Sequence, residues 1–165
     1  MTMLDGLGSE PRGAGLEAVD LGMLGETVGP AIRHLRNHLT VRIMEGLERF
    51  ELRTGSFSTL ALIAANPGCA QSDISRETGF DKSVVVALID ELERRGLAER
   101  ARSHADRRRN ILTLTEAGHK LLEEMNAVVR AVEKPIRQAL TSEEMDTLLR
   151  LNRKALQAML SAQSH

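Results

Sequence analysis

The apolar residues of this chain recur at helical spacing over most of its length. Across 27–53 they step by three or four residues, and they form one continuous stripe: Ile32, Leu35, Leu39, Ile43, Leu47 and Phe50. Pro30 fits near the start of this helix because a first-turn residue needs no partner for a backbone N–H, and Gly55 ends it. Further helices are predicted over 57–65, 71–78, 81–95, from residue 116, and over 142–162.

Residues typical of helix ends separate these stripes. Candidate N-caps precede the second helix (Ser56 or Ser58), the fourth (Asp81), the fifth (Thr115) and the sixth, where Thr141 and Glu144 form a capping box. Gly79 is placed to take the left-handed turn between the third and fourth helices. Pro135 marks a break or kink in the fifth helical stripe.

The helical pattern stops between Leu97 and Thr115. Two short β-prone runs there enclose a polar, cationic tip at 103–109, which predicts a small hairpin. A two-stranded hairpin buries too little apolar surface to be stable alone, so it must be mounted on a larger unit. A helix followed by a basic hairpin is the layout of a winged helix-turn-helix DNA-binding lobe.

These elements predict a mainly α fold with a small β-hairpin wing. We expect a flexible N-terminal arm at 1–20, a helical dimerisation region formed by 21–55 and 116–165, and a winged helix-turn-helix DNA-binding lobe at 56–115. The long apolar faces of the terminal helices cannot all be buried within one small lobe. A helical interface between two copies is therefore expected.

Positive charge is concentrated in one segment of the chain. The formal net charge is −1, yet residues 94–109 hold seven arginines against two acidic residues, a local charge of +5. Such a patch suits phosphate contact, whereas the acidic remainder limits indiscriminate binding. With three Phe and no Trp or Tyr, the chain offers few stacking platforms for single strands, which favours duplex DNA.

The fourth helix has two distinct faces when its residues are projected at about 100° each. The inward face carries Val85, Leu88, Ile89 and Leu92, and the outward face carries Lys82, Ser83, Val86 and Asp90. Side chains near the N-terminus of a recognition helix are the ones that reach base edges in the major groove.

Three of the four outward residues have a predicted role in DNA contact. Lys82 can bind guanine or phosphate, Ser83 a base or a phosphate, and Val86 a thymine methyl group. Asp90 lies deeper on this face, where we expect it to orient a neighbouring arginine. Ser72, in the preceding short helix, is a further candidate for DNA contact.

The tip of the hairpin carries the candidates for minor-groove contact, Arg107, Arg108 and Arg109. The guanidinium group is permanently charged and weakly hydrated, and a narrow minor groove concentrates negative potential. Asp106 would repel DNA unless it has a structural role. We expect it to accept hydrogen bonds from wing backbone amides or to pair with a nearby arginine, and so to support the wing.

Two segments of this region resemble the MarR (multiple antibiotic resistance regulator) family. They are Asp106-Arg107-Arg108 followed by Leu112-Thr113-Leu114-Thr115 and Gly118, and the stretch from Leu88 to Leu97. The resemblance covers nearly all of the chain from about residue 27 to residue 162. It implies an α-helical dimer with winged helix-turn-helix lobes, in which the first, fifth and sixth helices form the dimerisation region.

The resemblance also implies residue roles and a function. Arg108 falls at the minor-groove arginine, Asp106 at its supporting acid, and Lys82, Ser83 and Val86 at recognition positions. Members of the family usually repress neighbouring genes, and a small ligand often releases them from DNA. Two lobes on a twofold axis would read a near-palindrome with half-sites about 10 bp apart.

Several cations of the first helix and of the turn after it lie near apolar residues, and this combination predicts an effector site. The candidates are His34, His38, Arg42, Phe50, Arg53 and Phe57. They suit an anionic ligand with an aromatic or acyl body, such as an aromatic carboxylate or its coenzyme A thioester. The alternative is that these cations form a solvated helix face.

Other kinds of site are not expected. His34 and His38 lack a third metal ligand, Cys69 lies in a Pro-Gly turn, and no nucleophile–base spacing or phosphate-binding glycine loop is present, so we predict no metal, no cofactor and no catalytic residue. No membrane span or signal peptide is evident, and a cytoplasmic location is expected. The competing functions are a winged-helix protein-interaction module and a DNA-binding activator without a small-molecule effector.

Overall fold

The computed structural model describes residues 20–102 and 110–162. Within these ranges the chain forms seven α-helices and two strands, in the order α1 (Val28–Leu47), α2 (Ser56–Ala65), α3 (Gln71–Thr78), α4 (Lys82–Arg94), β1 (Ala98–Arg102), β2 (Asn110–Leu114), α5 (Glu116–Val132), α6 (Lys134–Ala139) and α7 (Ser142–Ala162). Short 3-10 turns cover Gly22–Glu26 and Glu48–Phe50. The mainly α fold with a small β-hairpin is confirmed.

The chain divides into two compact units, Met1–Arg36 and Asn37–His165. The described part of the first unit contains the 3-10 turn Gly22–Glu26 and the beginning of α1. The predicted division into an arm at 1–20, a dimerisation region and a DNA-binding lobe stays a prediction. None of the helices in the described ranges is both long enough and apolar enough to cross a membrane.

The beginning of α2 differs from the prediction, which placed its cap at Ser56 or Ser58. Gly55 occupies the N-cap position, and both serines lie inside the helix. Gly55 has a φ of +99°, and a Cβ there would come within 2.8 Å of the Phe80 ring. Close packing and a left-handed backbone therefore decide where this helix begins.

Three other helix ends also differ in part. The first helix ends at Leu47 and gives way to a 3-10 turn, whereas the prediction continued it to residue 53. Asp81 occupies the N-cap position of α4, but its side chain accepts no capping hydrogen bond. Pro135 lies in the first turn of α6, so it starts a separate short helix. The capping box of α7 is confirmed: the Thr141 N–H donates to Glu144 Oε2 at 2.7 Å, and this bond lowers the pKa of Glu144.

One hydrophobic core holds the second unit together. The fully buried side chains come from α2, α3, α4, β2 and α5, and they include Leu60, Ile63, Ile74, Ile89, Leu92, Leu112 and Met125. The four inward residues predicted for α4 are all buried. Burial of this apolar face fixes the rotation of α4 and leaves the opposite face exposed.

The hairpin is joined to the core at its base. β1 and β2 pair antiparallel from Ala98↔Leu114 to Arg102↔Asn110. β2 also bonds the loop after α2, where Gly68 N–H donates to the Leu112 carbonyl at 2.8 Å and Leu112 N–H donates to the Cys69 carbonyl at 2.9 Å. These bonds anchor the base of the hairpin to the α2–α3 connection.

Thr115 and Gly118 connect the end of β2 to the end of α4. The Thr115 hydroxyl donates to the Gly96 carbonyl at 2.7 Å and accepts from Gly118 N–H at 3.0 Å, which confirms the predicted cap. Gly118 lies so close to the Leu97 backbone that a Cβ would come within 1.9 Å of the carbonyl oxygen. Only glycine fits there without displacing the backbone.

Replacing Gly118 with alanine should therefore destabilise the fold. We expect Gly118→Ala to lower the free energy of unfolding by about 1–3 kcal/mol or more, because the new methyl group meets a backbone atom that cannot rotate away. Thermal denaturation followed by circular dichroism measures the effect. The control is Gly29→Ala, also helical, where nothing lies within 4 Å of a new Cβ and the change should stay within ~1 kcal/mol. Equal melting temperatures for the two variants would contradict this account.

Candidate nucleic-acid interface

The turn between α3 and α4 is fixed by short side-chain hydrogen bonds. Gly79 has a φ of +71°, the left-handed conformation predicted for it. The Ser75 hydroxyl donates to the Phe80 carbonyl at 2.7 Å, and Phe80 N–H donates to Thr78 Oγ1 at 3.2 Å. These bonds hold α3 and α4 as a helix-turn-helix.

The exposed face of α4 is the one predicted to contact DNA. Lys82, Ser83 and Val86 are all exposed, while Val85 and its inward companions are buried. Ser72 is also exposed, at the second position of α3. The start of α4 thus exposes two polar residues, Lys82 and Ser83, together with two apolar residues, Val84 and Val86.

Asp90 binds an arginine, as the sequence predicts. Arg100 on β1 lies with its terminal nitrogen 2.8 Å from Asp90 Oδ1 and 3.4 Å from Glu93 Oε2. The Arg100 side chain is only 24% exposed. This pairing ties the first strand of the hairpin to the outward flank of α4, and it largely offsets the charge of Arg100.

Arg95 also has a structural role. Its guanidinium donates to the carbonyls of Phe50 and Glu51, at 3.1 and 2.8 Å. Glu51 has a φ of +53°, a left-handed conformation that is uncommon for a residue other than glycine. Arg95 therefore holds the end of α4 against the turn that follows α1.

The arginine cluster of 94–109 is thus not a uniform phosphate-binding patch. Arg95 and Arg100 each bind other groups of the fold, and the exposed Arg94 lies 3.9 Å from Glu91. The sequence predicted one patch of seven arginines because no sequence pattern indicates these pairings. Asp106, Arg107, Arg108 and Arg109 lie outside the described residues.

One effector candidate, Arg42, lines a groove between α1 and the α5–α6 region. The groove measures about 450 Å³, and its walls are Arg42, Gly46, Arg49, Val128, Ala131, Val132 and Pro135. α1 and α5 approach closely here, because a Cβ on Gly46 would lie 2.7 Å from Val128 Cγ1. Two arginines beside apolar helix surface suit an anion with an apolar body.

The other effector candidates lie elsewhere. Phe50 is buried in the core, and Phe57 packs against it. Arg53 lines a different groove, together with Ser83 of α4. His34 and His38 are exposed on α1.

Arg49 was missed as a groove residue, although its spacing of seven residues from Arg42 placed both on one face of the predicted first helix.

Metal and redox chemistry find little support in the described part of the chain. No group of three or more His, Cys, Asp or Glu side chains there is arranged to hold a metal ion. Burial, and secondarily the charge of Asp73, raise the pKa of the Cys69 thiol. A raised pKa lowers the thiolate fraction, which makes this cysteine less reactive.

Comparison with known proteins shows which family shares this architecture. The family model described as the MarR family matches residues 52–109. A putative transcriptional regulatory protein for the hcr operon of Thauera aromatica is 33% identical over 97 residues, which is 59% of this chain and 58% of that protein.

Two solved structures of CouR are similar over most of the chain. The transcriptional repressor CouR bound to a 23-mer DNA duplex is 31% identical, covers 90% of this chain and 100% of that chain, and has a TM-score of 0.60. CouR from Rhodococcus jostii RHA1 bound to p-coumaroyl-CoA is 28% identical, covers 82% of this chain and 93% of that chain, and has a TM-score of 0.69. With a helix-turn-helix whose α4 exposes Lys82 and Ser83 at its start, and a hairpin joined to it through Thr115 and Gly118, this chain belongs to the MarR family of winged-helix, DNA-binding transcriptional regulators.

Proposed function

We propose that this protein is a ligand-responsive repressor that binds near-palindromic duplex DNA as a homodimer. α4 enters the major groove, and the segment 103–109 reaches the minor groove. The main support for the proposal is the division of α4 into a buried apolar face and an exposed face that begins with Lys82 and Ser83. The likeness to CouR bound to a DNA duplex supports the same mode of binding.

Different residues contact different parts of the DNA in this proposal. Lys82 and Ser83 contact bases or phosphates, Val86 packs on a thymine methyl group, and Ser72 contacts the backbone from α3. Arg108 enters the minor groove, with Arg107 and Arg109 on either side of it and Asp106 supporting the wing. Asp90 approaches DNA while paired with Arg100, and this pairing reduces its repulsion of the phosphates.

Exposed apolar residues on α7 support the homodimer. Six large hydrophobic side chains of this helix are more than 40% exposed: Leu148, Leu149, Leu151, Leu156, Met159 and Leu160. An apolar surface of this kind is typical of a protein–protein interface. A twofold dimer would also place two copies of α4 on consecutive turns of one face of the DNA.

The groove beside Arg42 and Arg49 is the site we assign to the effector. Its two guanidinium groups would bind a carboxylate or phosphate, and Val128, Ala131 and Val132 would contact an aromatic or acyl body. The CouR complex with p-coumaroyl-CoA supports a ligand of this class. An acyl-CoA or aromatic acid bound between α1 and α5 would change the distance between these helices, which the Gly46–Val128 contact sets.

DNA binding tests the proposal directly. Fluorescence anisotropy should show tight binding to the duplex upstream of the protein's own gene, weaker binding to a scrambled duplex, and a loss of roughly 10³–10⁵ in affinity between 50 and 200 mM salt. Arg108→Ala should weaken binding at least about tenfold, since one charge-assisted hydrogen bond contributes roughly 1.5–3 kcal/mol.

The matched control for that variant is Arg137→Ala, an exposed arginine on α6 that pairs with Glu133 at 2.8 Å. It should leave DNA affinity unchanged. Wild-type binding no better than to the scrambled duplex would favour a protein-interaction module. An Arg108→Ala protein that binds like the wild type would remove the wing from the interface.

Ligand release tests the effector site. We expect p-coumaroyl-CoA, added to the protein–DNA complex, to lower the anisotropy. In Arg42→Ala and Arg49→Ala, half-release should require at least about tenfold more of it, because each variant removes one anion-binding group. Free p-coumarate and free coenzyme A identify which part of the ligand is bound. Lys120→Ala removes an exposed charge of α5 outside the groove and should respond like the wild type. Equal response in all four proteins would overturn this assignment.

A further inference from the structure

A second groove lies beside the first two turns of α4. It measures about 210 Å³ and is lined by Arg53, Thr54, Ser83, Val84, Ala87 and Leu88. One wall is therefore the start of the proposed recognition helix, and the other is the connection that precedes α2. Arg53 belongs neither to the hydrophobic core nor to the lining of the effector groove, so neither explains its position here.

Glu91 holds Arg53 along the flank of α4. Arg53 Nε lies 3.3 Å from Glu91 Oε2, and the Glu91 side chain is only 13% exposed. Ser83, Ala87 and Glu91 follow one another at four-residue spacing, so they form a single row along the helix. Arg53 thus pairs with Glu91, at the last position of the row, and it lines the groove together with Ser83, at the first position.

The charge of Arg53 remains accessible to a ligand. Its side chain is 64% exposed, whereas Arg100, which pairs with Asp90 and Glu93 on the other flank of α4, is only 24% exposed. A guanidinium group has five N–H donors, so the ion pair with Glu91 leaves donors of Arg53 for a ligand. The two flanks of α4 thus differ: one arginine is enclosed, and the other faces solvent.

We infer that Arg53 is a phosphate-contacting residue of the DNA interface, held in position by Glu91. This inference rests on the proposed function. A helix with its side chains is about 10–12 Å wide and the major groove is about 12 Å wide, so groups on the helix flank meet the phosphates at the groove edge. An arginine beside Ser83 would bind the strand that borders the first turn of α4 and fix the register of the helix.

A phosphate contact by Arg53 differs from the role first predicted for this residue. The sequence grouped it with the effector candidates, but the groove that contains Arg42 and Arg49 is not lined by Arg53. Both a DNA phosphate and the anionic group of an effector would bind a guanidinium. The experiment must therefore measure DNA affinity and ligand response separately.

The test is the salt dependence of DNA binding by Arg53→Ala. A lost phosphate contact should weaken binding to the specific and the scrambled duplex by the same factor, roughly tenfold. It should also make the slope of log K against log[salt] shallower by about 0.9 for each phosphate released. Arg53→Lys keeps the charge and should retain the wild-type slope. Arg137→Ala, which also breaks an arginine–glutamate pair, should change neither quantity.

The double variant Arg53→Ala/Glu91→Gln separates a contact from simple neutralisation of Glu91. If Arg53 binds phosphate, the double variant keeps the shallower slope, whereas restoration of the wild-type slope would overturn the inference. Wild-type slope and affinity in Arg53→Ala would overturn it, as would a loss confined to the specific duplex. The inference would also be overturned if Arg53→Ala bound DNA like the wild type but no longer responded to p-coumaroyl-CoA. A wild-type protein that binds no DNA would instead refute the proposed function, and this inference with it.

Discussion

A backbone contact between Gly118 and Leu97 holds the proposed DNA-binding apparatus together. The two backbone segments approach so closely that no side chain fits between them, and the Thr115 hydroxyl bridges Gly96 and Gly118 on either side of the contact. The end of α4, the base of the hairpin and the start of α5 therefore meet at one point. This is a physical reason for a Leu-Thr pair followed three residues later by glycine at the end of the second strand.

The same contact gives the proposed ligand response a mechanical basis. α5 reaches α4 through Thr115 and Gly118, while α1 reaches it through the carbonyls of Phe50 and Glu51, which bind Arg95. The groove proposed for the effector lies between these two helices, where Gly46 meets Val128. A ligand that changes the spacing between α1 and α5 would shift both of their attachments to α4 and so reorient that helix.

Local patterns predicted much of the fold, while contacts between distant segments decided the rest. The capping of α5 and α7, the buried face of α4 and the Asp90–Arg100 pair follow from residues close in sequence. The start of α2 does not, because the Phe80 ring and a left-handed Gly55 override two serines that normally cap helices. Arg95 bonds a carbonyl 45 residues away, and no local pattern indicates that. The effector candidates do not form one site for a related reason: Phe50 is buried in the core, and Arg53 lies beside α4.

Hydroxyl-radical footprinting on the duplex upstream of the gene tests the central claim most directly, because it maps the contacted sugars along both strands. Two copies of α4 and of the wing on a twofold axis should protect symmetric patches in two half-sites whose centres lie about 10 bp apart. Protection of the minor groove should flank each half-site. A single asymmetric patch would contradict the twofold arrangement, and an unprotected duplex at protein concentrations that saturate ordinary operators would contradict DNA reading by this fold.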